Sequence, residues 1–253
     1  MPLTEPVFLG IDPTSGKKSF TYAVLDKDLR VLSLADGEVE DVVSYVEGQP
    51  STVVAINAPS NLNRGLVEKK LKKEMTGQHQ IRGAQMRMCE YELRSHGITV
   101  SGTPSNMTSC PSWMQLGFSL YRKLEKMGFS RYPKSDSDHQ VLETHPHACY
   151  CMLADVAPQP KPSIEGRLQR QLLLYERGVR VRDSMDFFEE ITRHKMMKGI
   201  WPVELLYLPE HLDALVAAYT AWLAFRKPEQ ISFIGDEKEG QIVLPEKELK
   251  ENY

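Results

Sequence analysis

The first sixty residues constrain the fold most, because they change hydrophobic period twice. PVFLGID (6–12) is an apolar run that closes on Gly10 and Asp12. SFTYAVLD (19–26) alternates, with Phe20, Tyr22 and Val24 on one side, and RVLSLAD (30–36) follows a short turn. Three strands joined by tight turns make an antiparallel meander. In EVEDVVSYVEG (38–48) the spacing switches: Val39, Val42, Val43 and Val46 fall at helical intervals and Gly48 closes the run. VVAINAPSN (53–61) then returns to strand, since Val53, Val54 and Ile56 are β-branched and Pro59 cannot donate to a ladder. The order is β-β-β-α-β.

Beyond residue 60 the pattern is mostly helical to about residue 130, with GLVEKKLKKEM, AQMRMCEYELRSHG and WMQLGFSLYRKLEKMG as the clearest pieces. A Ser-, Thr- and Pro-rich loop, ITVSGTPSNMTSCPS, interrupts them. QVLETH (140–145) reads as a fifth strand, and APQPKPS (157–163) as a stiff link. IEGRLQRQLLLYERG and SMDFFEEITRHKMMKG read as two further helices. PEHLDALVAAYTAWLAFR (209–226) is a long one, with proline near its start and Glu210 in the first turn. ISFIGD and QIVLP pair as a closing hairpin. A single domain over residues 1–253 is expected, with helical insertions at about 60–130 and 157–200.

At 41% hydrophobic and 26% charged residues, 253 residues bury a sizeable core. The net charge of −3 excludes a bulk polycation, so a nucleic-acid partner would have to meet a local basic patch. No apolar run approaches the roughly 20 residues of a membrane span. MPLTEPVFLG lacks the basic start of a signal peptide, which makes the cytoplasm the expected compartment. Cys89, Cys110, Cys149 and Cys151 form no spaced framework and are expected as free thiols.

The acids fall at element ends. Asp12 ends the first strand and Glu143 the fifth. Asp213 lies in the first turn of the long helix, beside Ala214, Ala217 and Ala218, which let that helix approach a sheet closely. Asn57 ends the fourth strand, which in an open sheet can lie beside the first. Mouths of such strands are where open α/β sheets place their chemistry. Crowded carboxylates repel one another unless a cation intervenes, and hard oxygens suit Mg²⁺ or Mn²⁺. Isolated caps or surface groups are the plain alternative.

FLGID, AINAP, RMCEYELRSHGI, LETHPHA and HLDALVAAYTAWL, in that order, resemble the family described as domain of unknown function 429, whose members are described as predicted nucleases with an RNase H-like fold. The resemblance runs from about residue 7 to 244. GID followed late by a helix with DAL also resembles Holliday-junction resolvases. The resemblance implies an α/β, RNase H-like fold: a five-stranded mixed sheet of order 3-2-1-4-5 with helices on both faces. It implies metal ligands at Asp12, Glu143 and Asp213, and DNA or RNA as partner. Many members carry Asp at the position of Asn57; an amide still offers an oxygen but no charge, so a weaker second ion is expected, or a substrate contact from Asn57.

Other motifs have plainer readings. His145, His147, Cys149 and Cys151 alternate in THPHACYC, but Pro146 interrupts, and a role for His145 beside Glu143 is preferred to zinc. Arg64, Lys69, Lys70, Lys72, Lys73 and Arg82 form a basic stretch with interspersed glutamates, read as a solvated face. Arg87 and Glu90 are either an i,i+3 ion pair or, through Arg87, a phosphate contact. The arginines of GRLQRQLLLYERGVRVR ride on an amphipathic helix, and Trp113, Phe118 and Tyr121 are core candidates. GIDPTSGKK lacks Walker spacing but resembles the first phosphate loop of actin-like domains. Three functions follow: a metal-dependent nuclease, a binding module with a weakened metal site, and actin-like nucleotide binding.

Overall fold

A computed structural model describes residues 6–13, 20–74, 85–134 and 137–253. The elements run β1 (Val7–Pro13), β2 (Phe20–Leu25), β3 (Val31–Gly37), α1 (Val39–Glu47), β4 (Thr52–Ile56), α2 (Leu66–Glu74), α3 (Met88–Ser95), α4 (Ser112–Lys126), β5 (Ser130–Arg131), β6 (His139–Glu143), α5 (Pro146–Ala154), α6 (Ile164–Glu176), α7 (Asp186–Glu189), α8 (Arg193–Met197), α9 (Pro209–Arg226), β7 (Ile231–Asp236) and β8 (Gly240–Pro245). The β-β-β-α-β opening forms as expected.

Among the described residues the sheet is mixed and has eight strands, where five were expected. Its order is β3-β2-β1-β4-β6-β8-β7, with β5 beside β6. The expected 3-2-1-4-5 order survives as β3-β2-β1-β4-β6. The closing hairpin then adds two strands, through the parallel pairing of Glu143 with Ile242, and Ser130–Arg131 adds a short third. Both cover the outer edge of β6, which would otherwise present unpaired backbone groups. Burial of Ile242, Val243 and Leu244 stabilises that addition.

Helices cover both faces. Phe8, Val53, Ala55 and Leu142 point to a core shared with α9, α5, α3 and α6. Their neighbours Leu9, Val54, Ile56 and Val141 point to a second core with α1 and α4. α9 is apolar all round and buried along most of its length, as a central helix must be. At Gly10 its backbone meets β1 so closely that an added Cβ would lie 2.0 Å from the Ala214 carbonyl oxygen.

Two helices differ from the expected pattern. AQMRMCEYELRSHG becomes helical only at Met88, leaving Arg87 at the cap position. SMDFFEEITRHKMMKG divides into α7 and α8, because the Thr192 side chain caps a fresh helix by accepting from Lys195 N–H at 3.2 Å. α5 begins at Pro146, so the alternation in THPHACYC is not a strand face. Among the described residues no helix is long and apolar enough to cross a membrane.

Candidate active site

β1 and β4 run parallel and end together, so Asp12 and Asn57 emerge at one mouth of the sheet. The backbone N–H of Asn57 donates to Ile11 O at 2.9 Å, extending the ladder one step past the strand. Its side-chain Nδ2 donates to Asp12 Oδ1 at 2.6 Å. That bond gives a reason for the amide: a carboxylate here could not donate, and would add a third negative charge. The small residues of α9 bring Asp213 to the same place. Lys161, from the Pro-rich link, hydrogen-bonds Asp213 Oδ2 as an ion pair.

This pair is electrostatically costly. Burial, and next the Asp213 charge, push the Asp12 carboxyl from its ordinary 3.8 up to about 7. Lys161 and the Asn57 hydrogen bond work the other way. Asp213 is raised as well, chiefly by burial, with Lys161 opposing. Burial disfavours the Lys161 ammonium, but Asp213 and Asp12 more than offset it and its pKa is raised.

Asp12 binds its proton more tightly folded than unfolded, so its contribution is fully favourable below pH 4 and is lost as pH rises to about 7. Asp12→Asn is therefore expected to raise the melting temperature over wild type at pH 8 and by clearly less at pH 5. Melting curves at the two values check it, and an equal or larger gain at pH 5 would be the wrong sign.

Glu143 belongs to a different centre. Its two oxygens accept from Arg87, Nη1 to Oε2 at 3.0 Å and Nη2 to Oε1, and Oε2 also accepts from Ser60 N–H at 2.7 Å. Arg87 Nε donates to Glu90 Oε1 at 2.8 Å, and the Arg87 N–H to Glu90 Oε2 at 3.0 Å. Arg87, Glu90 and Glu143 are 1%, 1% and 4% exposed. Burial opposes the guanidinium charge, yet Glu143 leads the partners that hold it firmly ionised. The ion-pair reading of Arg87 and Glu90 holds. Its fork is committed to two carboxylates and to Glu239 O at 3.1 Å.

The expected ligand set thus divides in two. Asp12 and Asp213 lie near enough for the charge of Asp213 to act on Asp12, whereas Glu143 is neutralised by Arg87. Among the described residues no three His, Cys, Asp or Glu side chains stand close enough to hold a metal ion. The physical reason is the guanidinium, which meets both Glu143 oxygens at once.

A cavity of about 180 Å³ lies against the Arg87 centre and Asn57, lined by Arg87, Glu90, Glu143, Asn57, Trp113 and His145 among others. His145 caps α5, its Nδ1 accepting from Ala148 N–H at 3.2 Å. Burial, and then His147, lower its pKa to about 4, so it is a neutral ring whose free donor is Nε2. Two residues escaped the sequence reading. Glu239, fully buried, accepts from Arg64 and Met88 N–H at 2.7 and 2.9 Å, capping α3 and holding the approach to α2. Lys161 was read only as part of a link, though a lysine fixed between prolines was its signal.

The other candidates follow their plainer readings. All four cysteines are free and buried. Phe118 and Tyr121 are core, with Trp113 partly buried against them. Lys72 pairs with Glu68, and Lys69, Lys70 and Lys73 are exposed, while Arg82 lies outside the described residues, as does the whole TSGKK turn of the actin-like resemblance. Arg170 is buried, bonding Gln159 O and Gly166 O, and Arg167 bonds Tyr207 O.

The family described as Protein of unknown function (DUF429) matches residues 10–239. The chain belongs to that family. The DUF429 match takes in Asp12, Asn57, Arg87, Glu143, Lys161, Asp213 and Glu239, so both polar centres lie inside the family unit. No curated protein and no solved structure matches the chain.

Proposed function

We propose that this chain hydrolyses phosphodiester bonds of nucleic acid on an RNase H-like sheet, with one divalent ion, Mg²⁺ or Mn²⁺. The observation that carries the reading is the meeting of Asp12 and Asp213 at the β1–β4 mouth. Two buried carboxylates raised in pKa by burial, one of them by the other's charge as well, are the arrangement that a cation relieves. The donors fit one hard ion: Asp12 and Asp213 would hold it, with the Asn57 side-chain oxygen as a neutral donor. They do not fit two, since Glu143 is committed to Arg87. When bound, such an ion activates water and stabilises the leaving oxygen.

The chain's own groups supply the rest. Asn57 fixes the Asp12 carboxylate through its N–H. Neutral His145 offers an Nε2 donor to a substrate oxygen in the adjoining cavity. The Arg87 centre fixes β6, α3 and the β7–β8 turn as one rigid wall. The test is cleavage of branched, hybrid and single-stranded substrates with Mn²⁺ or Mg²⁺. Cleavage of at least one is expected, falling on the order of 10²-fold or more in Asp12→Asn and Asp213→Asn. No cleavage of any substrate with either ion removes the reading.

One observation favours a second reading, a nucleic-acid or protein binding module. Lys161 already neutralises Asp213 without any ion. On that reading binding does not change with divalent ions, and Asn57→Asp creates no Mn²⁺-dependent activity.

A further inference from the structure

Lys161 is delivered to the acid pair by a built scaffold. Pro158, Pro160 and Pro162 stiffen the link between α5 and α6. Gln159 is clamped at both ends, its N–H donating to Gln169 Oε1 at 2.7 Å and its carbonyl accepting from Arg170 Nη1 at 2.8 Å. Ser163, the cap of α6, donates from Oγ to Pro160 O at 2.9 Å. Pro160 O presses so closely on α6 that a Cβ at Gly166 would lie 2.0 Å from it. The loop carrying Lys161 is therefore held on both flanks, while its side chain remains 41% exposed against 8% for Asp213. One end is fixed, and the ammonium is free to exchange.

With Lys161 included and both acids ionised, the site keeps one net negative charge. Asp12 and Asp213 bring two negative charges, Asn57 none, and Lys161 one positive charge. A divalent ion arriving at Asp213 meets an ammonium already bonded to it. We infer that Lys161 is a resident cation of this site, which a divalent ion must displace from Asp213 and which then turns its charge to a phosphate of the bound strand. It deepens the proposed function and rests on it. Lys161 would take the place of a second ion, which accounts for a site whose donors suit only one.

The test is Mn²⁺ binding to the full chain, by calorimetry and by the Mn²⁺ spin-resonance signal, for wild type, Lys161→Met, Lys161→Gln and Lys161→Arg. Lys195→Met, which removes a surface lysine paired with Glu190, controls for net charge. One ion per chain is expected. The affinity should rise about tenfold or more in the Met and Gln variants and stay near wild type in Lys161→Arg and Lys195→Met. A single-stranded oligonucleotide with Mn²⁺ present should lose about 0.7 from its log–log salt slope in Lys161→Met. Melting curves show which variants fold, and the Met and Gln variants are read alike.

Unchanged Mn²⁺ affinity in the folded Met or Gln variant, or an equal rise in Lys195→Met, overturns the inference and leaves the nuclease reading standing. Tighter Mn²⁺ binding in Lys161→Met, with no cleavage by wild type, keeps Lys161 as the resident cation that Mn²⁺ displaces and removes the nuclease. Absence of Mn²⁺ binding from every variant removes both.

Discussion

Arg87→Met is expected to destabilise the fold by about 3–5 kcal/mol, the largest effect of any single substitution considered. The substitution keeps an unbranched apolar stem but removes the fork that serves Glu143, Glu90 and the Glu239 carbonyl. Glu143 would be left buried with only the Ser60 N–H. An uncompensated buried carboxylate, rather than lost packing, sets the size of the loss. Since a domain is stable by only about 5–15 kcal/mol, the variant loses a large share of its margin. Urea unfolding measures it, and a double-mutant cycle with Glu143→Gln isolates the cause. The double variant should be less destabilised than the sum of the two singles, because removing the Glu143 charge removes the orphan. A loss under about 1 kcal/mol in Arg87→Met would show that water or local rearrangement reaches this centre. Arg87→Lys is expected to fall between, since an ammonium cannot make the bidentate contact.

Gly10→Ala is the second large expectation. Its Cβ would lie 2.0 Å from Ala214 O, 2.2 Å from Ala218 N and 2.9 Å from the Ala217 carbonyl carbon. These are backbone atoms of α9, so no rotamer change relieves the clash and the helix itself must shift. Overpacking of this kind costs about 3 kcal/mol. For a chain of this size that corresponds to a melting temperature lower by roughly 6–12 °C. Gly48→Ala is the control: its Cβ would meet only ordinary contacts at 3.6 Å, and its φ of −78° suits any residue. It should melt within a few degrees of wild type. The shift in α9 has a second consequence, because Asp213 rides on the same turn as Ala214. Whatever activity depends on Asp12 and Asp213 should fall in Gly10→Ala beyond what its melting temperature explains. A Gly10→Ala protein that melts with wild type would mean that α9 does not seat on β1 as closely as described.

The parts of this molecule readable in advance are those governed by local period. Val39, Val42 and Val46 mark α1 because one face of a helix must meet the sheet, and that face is buried. Pro209 and the apolar run after it fix α9 to its first residue. SMDFFEEITRHKMMKG reads as one helix because its side-chain pattern is continuous, while the break depends on a single cap at Thr192. The sheet was undercounted for a related reason. A two-residue strand such as Ser130–Arg131 carries no period at all, and the place of the closing hairpin depends on which edge is bare.

The candidate site divides along the same line. The alanines around Asp213 mark a helix that can approach a sheet closely, but the sequence leaves open whether Asp213 faces Asp12 or only serves its own helix end, and the fold brings their charges together. Asn57 at the mouth of β4 was legible from where its strand stops. The fate of Glu143 was not. Whether an end-of-strand acid faces a site or a guanidinium depends on where Arg87 lands, and nothing between them in the chain reports that distance. Lys161 was hidden likewise, reading as a residue of a linker until the fold brought it to Asp213.

The sequence alone settled most of the order of elements and the strand and helix ends that carry Asp12, Asn57 and Asp213, because repeat spacing, β-branching and small residues act over a few neighbours. Only the tertiary structure decided which charges neutralise which, because ion pairing acts through space between groups that the chain keeps far apart, and it sent Arg87 to Glu143 and Lys161 to Asp213.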